Sequence, residues 1–138
     1  MRDLYLETVG PYGDCAVLRI VGEIDIYTAP ALRERLAELL GTGVKHVVLD
    51  TSGISFLDSS GLGVLVSGHK RIRAHDGSLV LVAAQERILQ LFRLTGLIRL
   101  FPPYPTVSEA IDDDSHWREA IGDGSRSVAD WCREHELV

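Results

Sequence analysis

Asp50-Thr51-Ser52-Gly53-Ile54-Ser55-Phe56-Leu57-Asp58-Ser59-Ser60-Gly61-Leu62-Gly63 is the most informative stretch of the chain. A short apolar strand, Val44 to Leu49, stops at Asp50 just before it. The spacing then predicts a polar loop pinned by Ile54 and Phe56, and a helix opening at Asp58-Ser59-Ser60. A serine at such a boundary can accept a hydrogen bond from the first unpaired amides of the helix. Gly61 and Gly63 allow the first turn to come close to neighbouring backbone. Asp-Ser-Ser is also an ordinary cap sequence, so local composition alone gives it no function.

Upstream, Leu4, Leu6 and Thr8 alternate with Tyr5 and Glu7, the period of a half-buried strand. Pro11-Tyr12-Gly13-Asp14 is turn chemistry, and Cys15 to Val21 resumes a strand, so the two should pair as a hairpin. Thr28 is placed to cap a helix with Pro30 in its first turn, a stripe of Leu32, Leu36, Leu39 and Leu40, and Gly41 at its end. Downstream, Leu62, Leu65, Val66 and Ile72 predict the buried side of the helix from Ser59, with Lys70, Arg71 and Arg73 at its C-terminal end. Leu79 to Ala83 reads as a strand. Ile88, Leu91, Phe92 and Leu94 predict a helix ending near Gly96, Ile98 to Phe101 a last strand, and Thr106 to Ile111 the start of a final helix. The expected class is α/β: a mixed, mainly parallel sheet of four to five strands, opened by a β-hairpin and packed with about four helices.

The 138 residues suit one domain, and 46% of them are apolar, enough for a real core. Fourteen basic against twenty acidic residues give a net charge of −6, which disfavours non-specific nucleic-acid binding. That charge belongs mostly to residues 112–138, beyond the breaks at Pro102-Pro103 and Pro105. The compact domain is therefore placed at 1–111, and 112–138 is read as an acidic, helical appendage. It holds both tryptophans, Trp117 and Trp131, which are expected to fold back on an apolar patch rather than serve as a partner-binding arm. Within it, a helix capped by Ser115 and a second from Ser127 to Cys132 are predicted. The N-terminus lacks the pattern of a signal peptide, and no apolar run approaches membrane-spanning length, so a cytoplasmic protein is expected. Cys15 and Cys132 make no disulfide framework. Cys132, His135 and His116 lack a fourth ligand, so neither a metal nor a cofactor is expected.

The run Ile54 to Leu65 resembles the signature of STAS domains, the family shared by bacterial anti-sigma factor antagonists and sulfate transporter tails. Gly22-Glu23-Ile24-Asp25, with a helix opening at Thr28-Ala29, is similar to the segment after the family's second strand. Leu91-Phe92-Arg93-Leu94-Thr95-Gly96-Leu97 resembles its third helix and exit. The resemblance spans roughly residues 4–111 and implies an antagonist that is a switch, not an enzyme. By that resemblance Ser59 is the phosphoacceptor of a serine-kinase anti-sigma factor. The dephosphorylated protein binds that kinase and frees the sigma factor, and a PP2C-type phosphatase restores it. Glu23, Asp25, Thr28, Asp58, Ser60 and Leu62 are the expected partner contacts, with Ser60 also a secondary acceptor candidate. The family also includes interaction subunits of lipid-transport or stress-sensing assemblies, the alternative reading.

Catalysis fares worse. A nucleophilic Ser59 lacks the Gly-x-Ser-x-Gly elbow, since Leu57 stands where the first glycine belongs, and no histidine has a sequence relation to it. His69 falls at helical spacing from Leu62, Leu65 and Val66 and reads as a packing residue. Gly61-Leu62-Gly63 lacks the third glycine of a dinucleotide site and the Gly-Lys-(Ser/Thr) of a P-loop.

Overall fold

The computed structural model describes residues 3–83, 85–122 and 128–137. Four strands form one sheet in chain order. β1 (Leu4–Tyr12) pairs antiparallel with β2 (Cys15–Ile24). β2 then pairs in parallel with β3 (His46–Leu57), and β3 with β4 (Ser78–Val82). The sheet is mixed and mainly parallel, as the alternation of strands and helices predicts.

The central strands are apolar on both faces, so they read as continuous hydrophobic runs. Successive side chains of a strand point to opposite sides, and here each side has its own core. Ala16, Leu18, Ile20, Val47, Leu49, Leu79 and Leu81 face the first core. Cys15, Val17, Val48 and Val82 face the second. Helices α1 (Ala29–Gly41), α2 (Ser59–Ala74) and α3 (Glu86–Thr95) cover the first face with Leu32, Leu36, Leu39, Val64, Leu65, Ile72, Ile88 and Phe92. Helices α5 (Val107–Asp112), α6 (Ser115–Ala120) and α7 (Val128–Glu134) cover the second with Val107, Ala110, Ile111, Trp117, Trp131 and Cys132. Both tryptophans are thus buried and fold back onto the sheet. They meet edge-on, ring centres 5.9 Å apart, and Tyr12 lies edge-on to Trp131 at 5.2 Å.

Several local expectations are corrected. The segment 51–57 is not a loop: β3 runs on to Leu57, paired with β2 through two irregularities, because backbone pairing outweighs its Ser- and Gly-rich composition. Of the two expected pins Ile54 is buried and Phe56 exposed, and Thr51 and Leu57 are buried as well. Ile98 to Phe101 is not a strand. Gly96 (φ 78°) ends α3 in the left-handed conformation, and Leu97–Leu100 forms a one-turn helix, α4. Pro102-Pro103 has no amide to offer a ladder. Only Tyr104 reaches β4, its N–H donating to the Leu81 carbonyl at 2.9 Å. Leu94 is exposed, so the buried side of α3 is narrower than its leucines suggest. The same holds for α2, where Gly61, Val64, Leu65, Gly68 and Ile72 are buried while Leu62 and Val66 are half-buried. Asp114, not Ser115, caps α6, accepting from the His116 N–H. Of the helix predicted from Ser127, that first residue lies outside the described residues; α7 begins at Val128.

Candidate functional site

Parallel strands laid side by side end at the same edge of a sheet, and the loops that leave them become neighbours. Ile24 pairs with Leu57, and the Asp58 N–H donates to the Ile24 carbonyl at 3.2 Å. The loop 25–28 and the mouth of α2 are thereby tied together.

At that mouth the capping residue is Asp58. Its Oδ1 accepts from the amides of Ser60 (2.9 Å) and Gly61 (3.3 Å), and its carbonyl accepts from Leu62 (3.0 Å). The cap is therefore a carboxylate, where a serine was also eligible. Ser59, the first helical residue, is left exposed with its hydroxyl outside the cap, and Ser60 beside it is half-buried. Gly61 is the residue that permits this seating. A Cβ there would lie 2.4 Å from Leu57 Cδ1 and 2.7 Å from Ile24 Cγ2. Gly63 has no such constraint, with open space around its Cβ position.

The neighbouring loop is built around Asp25, which is 5% exposed. Its Oδ1 accepts from the amides of Tyr27 (2.9 Å) and Thr28 (3.0 Å). The Thr28 hydroxyl donates to the Glu23 carbonyl at 2.8 Å and accepts from the Asp25 N–H at 2.9 Å. Thr28 stands at the helix boundary as expected, yet its side chain caps no amide of α1, because the loop occupies it. Glu23 is half-buried. The Asp25 carboxylate and the Glu23 carbonyl shape the loop, and what it shows to solvent is Ile26 and Tyr27, 66% and 87% exposed. Sequence reading passed over both. Their signal was two apolar residues in a helix-entry loop with no place in the stripe of α1.

Between α1 and α2 runs an open groove of about 690 Å³, lined by Ile26, Pro30, Arg33, Ser59, Ser60, Gly63, Ser67 and Arg71. A second, of about 390 Å³, continues across α2 along Leu62, Gly63, Val66, Lys70, Thr95 and Leu97. The half-burial of Leu62 and Val66 now has a reason: they floor a surface groove. Ser59, Ser60, Asp58 and the loop holding Glu23, Asp25 and Thr28 sit at one end of this surface; Leu62 lies along it. Arg33, Lys70 and Arg71 make it cationic, a feature that charge counting by residue number did not reveal.

No histidine is among the residues that line the two grooves. His69 packs edge-on against Phe101, ring centres 4.9 Å apart, and burial followed by the nearby Arg73 charge pulls its pKa below the usual histidine value. Cys132 is buried in the second core and His135 bonds the Tyr12 hydroxyl, while His116 stacks elsewhere, so these three do not form the metal set that the tail suggested.

Residues 5–110 match the STAS domain. The chain belongs to the STAS family. This STAS domain is 42% identical over 80 residues to an anti-sigma-B factor antagonist of Bacillus subtilis, covering 58% of the chain and 72% of that protein. A protein of the same name from Staphylococcus epidermidis is 35% identical over 95 residues, 69% of the chain and 87% of its own length. Among solved structures, an anti-sigma factor antagonist from Mycobacterium paratuberculosis superposes with a TM-score of 0.73 at 29% identity, covering 80% of the chain and 93% of that structure. The match to the family ends at residue 110, so α6 and α7 lie beyond it.

Proposed function

We propose that this STAS domain is a cytoplasmic anti-sigma factor antagonist whose binding is switched by phosphorylation of Ser59. In its unphosphorylated form it binds an anti-sigma factor that is also a serine kinase, and the sigma factor is released. A PP2C-type phosphatase reverses the modification. The protein itself carries out no catalysis.

The observation that carries this reading is the exposed Ser59 hydroxyl, outside its own helix cap and lining a groove that Ile26 also lines, with Tyr27 exposed on the same loop. A kinase needs a hydroxyl it can reach, and a docking partner needs apolar surface beside it. Phosphate adds about −1.5 to −2 charges at neutral pH. At the N-terminus of the 16-residue helix α2 the dipole tolerates that charge, so the fold survives. Asp58 already holds the amides of Ser60, Gly61 and Leu62, so they do not neutralise the phosphate. Projecting into the groove that Arg33 and Arg71 line, it changes the charge this surface presents and must be desolvated against any bound partner. A coupling of about 1–3 kcal/mol, or roughly 5–150-fold in affinity, is what such a switch needs.

The test is incubation of the full chain with ATP and candidate serine-kinase anti-sigma factors, followed by mapping of the modified residue by mass spectrometry. Phosphate is expected on Ser59 alone. Ser59→Ala should hold the kinase as tightly as the parent chain, and Ser59→Asp should bind roughly 5–150-fold more weakly. Equal affinity of the two variants would remove the switch.

A further inference from the structure

A cluster of four polar side chains sits far from Ser59, where the second face of the sheet meets α6. His46, the first residue of β3, is 7% exposed. Its Nδ1 is engaged by the Ser78 hydroxyl at 2.9 Å, which fixes the ring and turns Nε2 toward Asp14, 3.8 Å from Oδ2. His116 stacks on His46 with ring centres 4.0 Å apart, and its Nδ1 lies 3.2 Å from Asp114 Oδ1. The ligand atoms of His46, Asp114 and His116 all lie within 4.8 Å of one another.

We propose that His46, His116, Asp114 and Asp14 form a binding site for a divalent transition metal of the zinc type, joining the turn between β1 and β2 and the start of β3 to the N-terminus of α6. Two imidazoles and two carboxylates are a nitrogen–oxygen donor set of the borderline character that zinc accepts, in the number a closed tetrahedral site requires. Asp14 and Asp114 bring two carboxylates to a partly buried point, an arrangement that a cation stabilises. Burial, then the neighbouring His116, holds the His46 pKa below the usual histidine value, against the opposing pull of Asp14 and Asp114. The Ser78 contact is the outer-shell bond that commonly orients a ligating imidazole.

Asp14 lies outside the group of three that already converge, and only its edge with His46 is near closure. Ligand atoms of a tetrahedral zinc at about 2.0–2.1 Å lie about 3.3 Å apart, against 3.8 Å between His46 Nε2 and Asp14 Oδ2. The His116 ring leaves its stack to aim a nitrogen at the ion, a movement open to it because its side chain is 58% exposed. Asp14, at 45%, has similar freedom. Cys15 stays outside the set: burial, then the Asp14 charge, pushes its thiol up to about 12, so it offers no thiolate at neutral pH. Asp14 lies in the turn between β1 and β2 and His46 opens β3, whereas Asp114 caps α6 and His116 stands in its first turn. A bound ion would fasten the helices beyond the STAS match to the body of the domain.

The experiment is titration of the chelator-treated full chain with zinc chloride by calorimetry, with melting followed in parallel. A single zinc equivalent is expected to bind in the micromolar range or tighter at pH 7.5. At zinc about a hundredfold above Kd, the melting midpoint should rise by several degrees. Binding should fade below about pH 6, because protons compete for the imidazoles. His116→Ala and Asp14→Asn, both at exposed positions, should each weaken zinc by at least about tenfold. His135→Ala, which alters the other histidine of the tail, should leave the affinity unchanged. Absence of zinc binding by the parent chain would overturn the site, as would His116→Ala and Asp14→Asn variants that bind zinc as tightly as the parent.

Discussion

The two faces of the sheet are covered by different means. On the first face, α1 and α2 are the crossovers between parallel strands, so the topology compels them to lie there. On the second face, α5, α6 and α7 follow the last strand, and nothing in the strand order requires them to return. Yet that second core is as dry as the first: Trp117 is 1% exposed, Trp131 2% and Cys132 0%. The compelled face carries the groove and Ser59. The other carries the tryptophans and the histidine–carboxylate cluster. The proposed switch would thus act on one face, while the other packs the last helices onto the sheet they share.

The largest expected effect lies on the second face. Trp117→Ala should cost about 3–5 kcal/mol, the usual range for truncating a buried aromatic, measured by urea unfolding. If the two faces share one cooperative unit, the parent chain unfolds in a single transition and the variant in a single earlier one. A chain that unfolds in two steps, with Trp117→Ala moving one of them alone, would show the last helices to be a docked accessory.

A smaller and more local effect is expected at the mouth of α2. Gly61→Val drives its side chain into Leu57 and Ile24, and overpacking of this kind costs about 1–3 kcal/mol. Partner binding should fall with it, because the Asp58 cap and Ser59 move with the first turn. Gly63→Ala, two residues on, meets open space and should stabilise α2 by roughly 0.5–1 kcal/mol, the usual gain over glycine in a helix. Chemical denaturation of the two variants together with partner titration separates the effects. Equal stability of Gly61→Val and the parent would mean that the first turn is not seated as described.

How far these features were legible in the sequence depends on whether a pattern or a tertiary contact produced them. The parallel strands and the helix from Ser59 follow from periodicity; the hairpin also forms, but Pro11 and Tyr12, read as turn, extend β1, and only Gly13-Asp14 makes the turn. Residues 51–57 were misread because Ser52, Gly53 and Ser55 carry loop composition, while their extended backbone is imposed by β2 alongside. Ile98 to Phe101 has strand composition, but Gly96 and the prolines at 102 and 103 leave room for a single helical turn. Asp58 was visible as a neighbour of Ser59, whereas its monopoly of the cap, and the inward turn of Asp25, depend on geometry. Ile26, Tyr27 and the Arg33–Arg71 groove come from separate elements that only the fold brings together. The same is true of His46 and His116, which are 70 positions apart in the chain.

The smallest effect tests the compelled face through its own histidine. His69 Nδ1 is buried and has no hydrogen-bond partner among the described residues, and the ring rests on Phe101. Burial, then the Arg73 charge, holds its pKa below the usual histidine value of about 6.5. Above pH 6.5 the ring is neutral in folded and unfolded chain alike, and its contribution to stability is fully present. As pH falls through 6.5 toward the lower folded value, the unfolded chain takes up a proton that the folded chain refuses, and stability declines. His46, also lowered, contributes with the same sign from the other face. In His69→Leu the melting midpoint should therefore fall less steeply between pH 7 and pH 5.5 than in the parent, while some slope persists. Identical slopes would mean that His69 meets solvent freely, and that α2 packs less closely over Phe101 than the ring contact indicates.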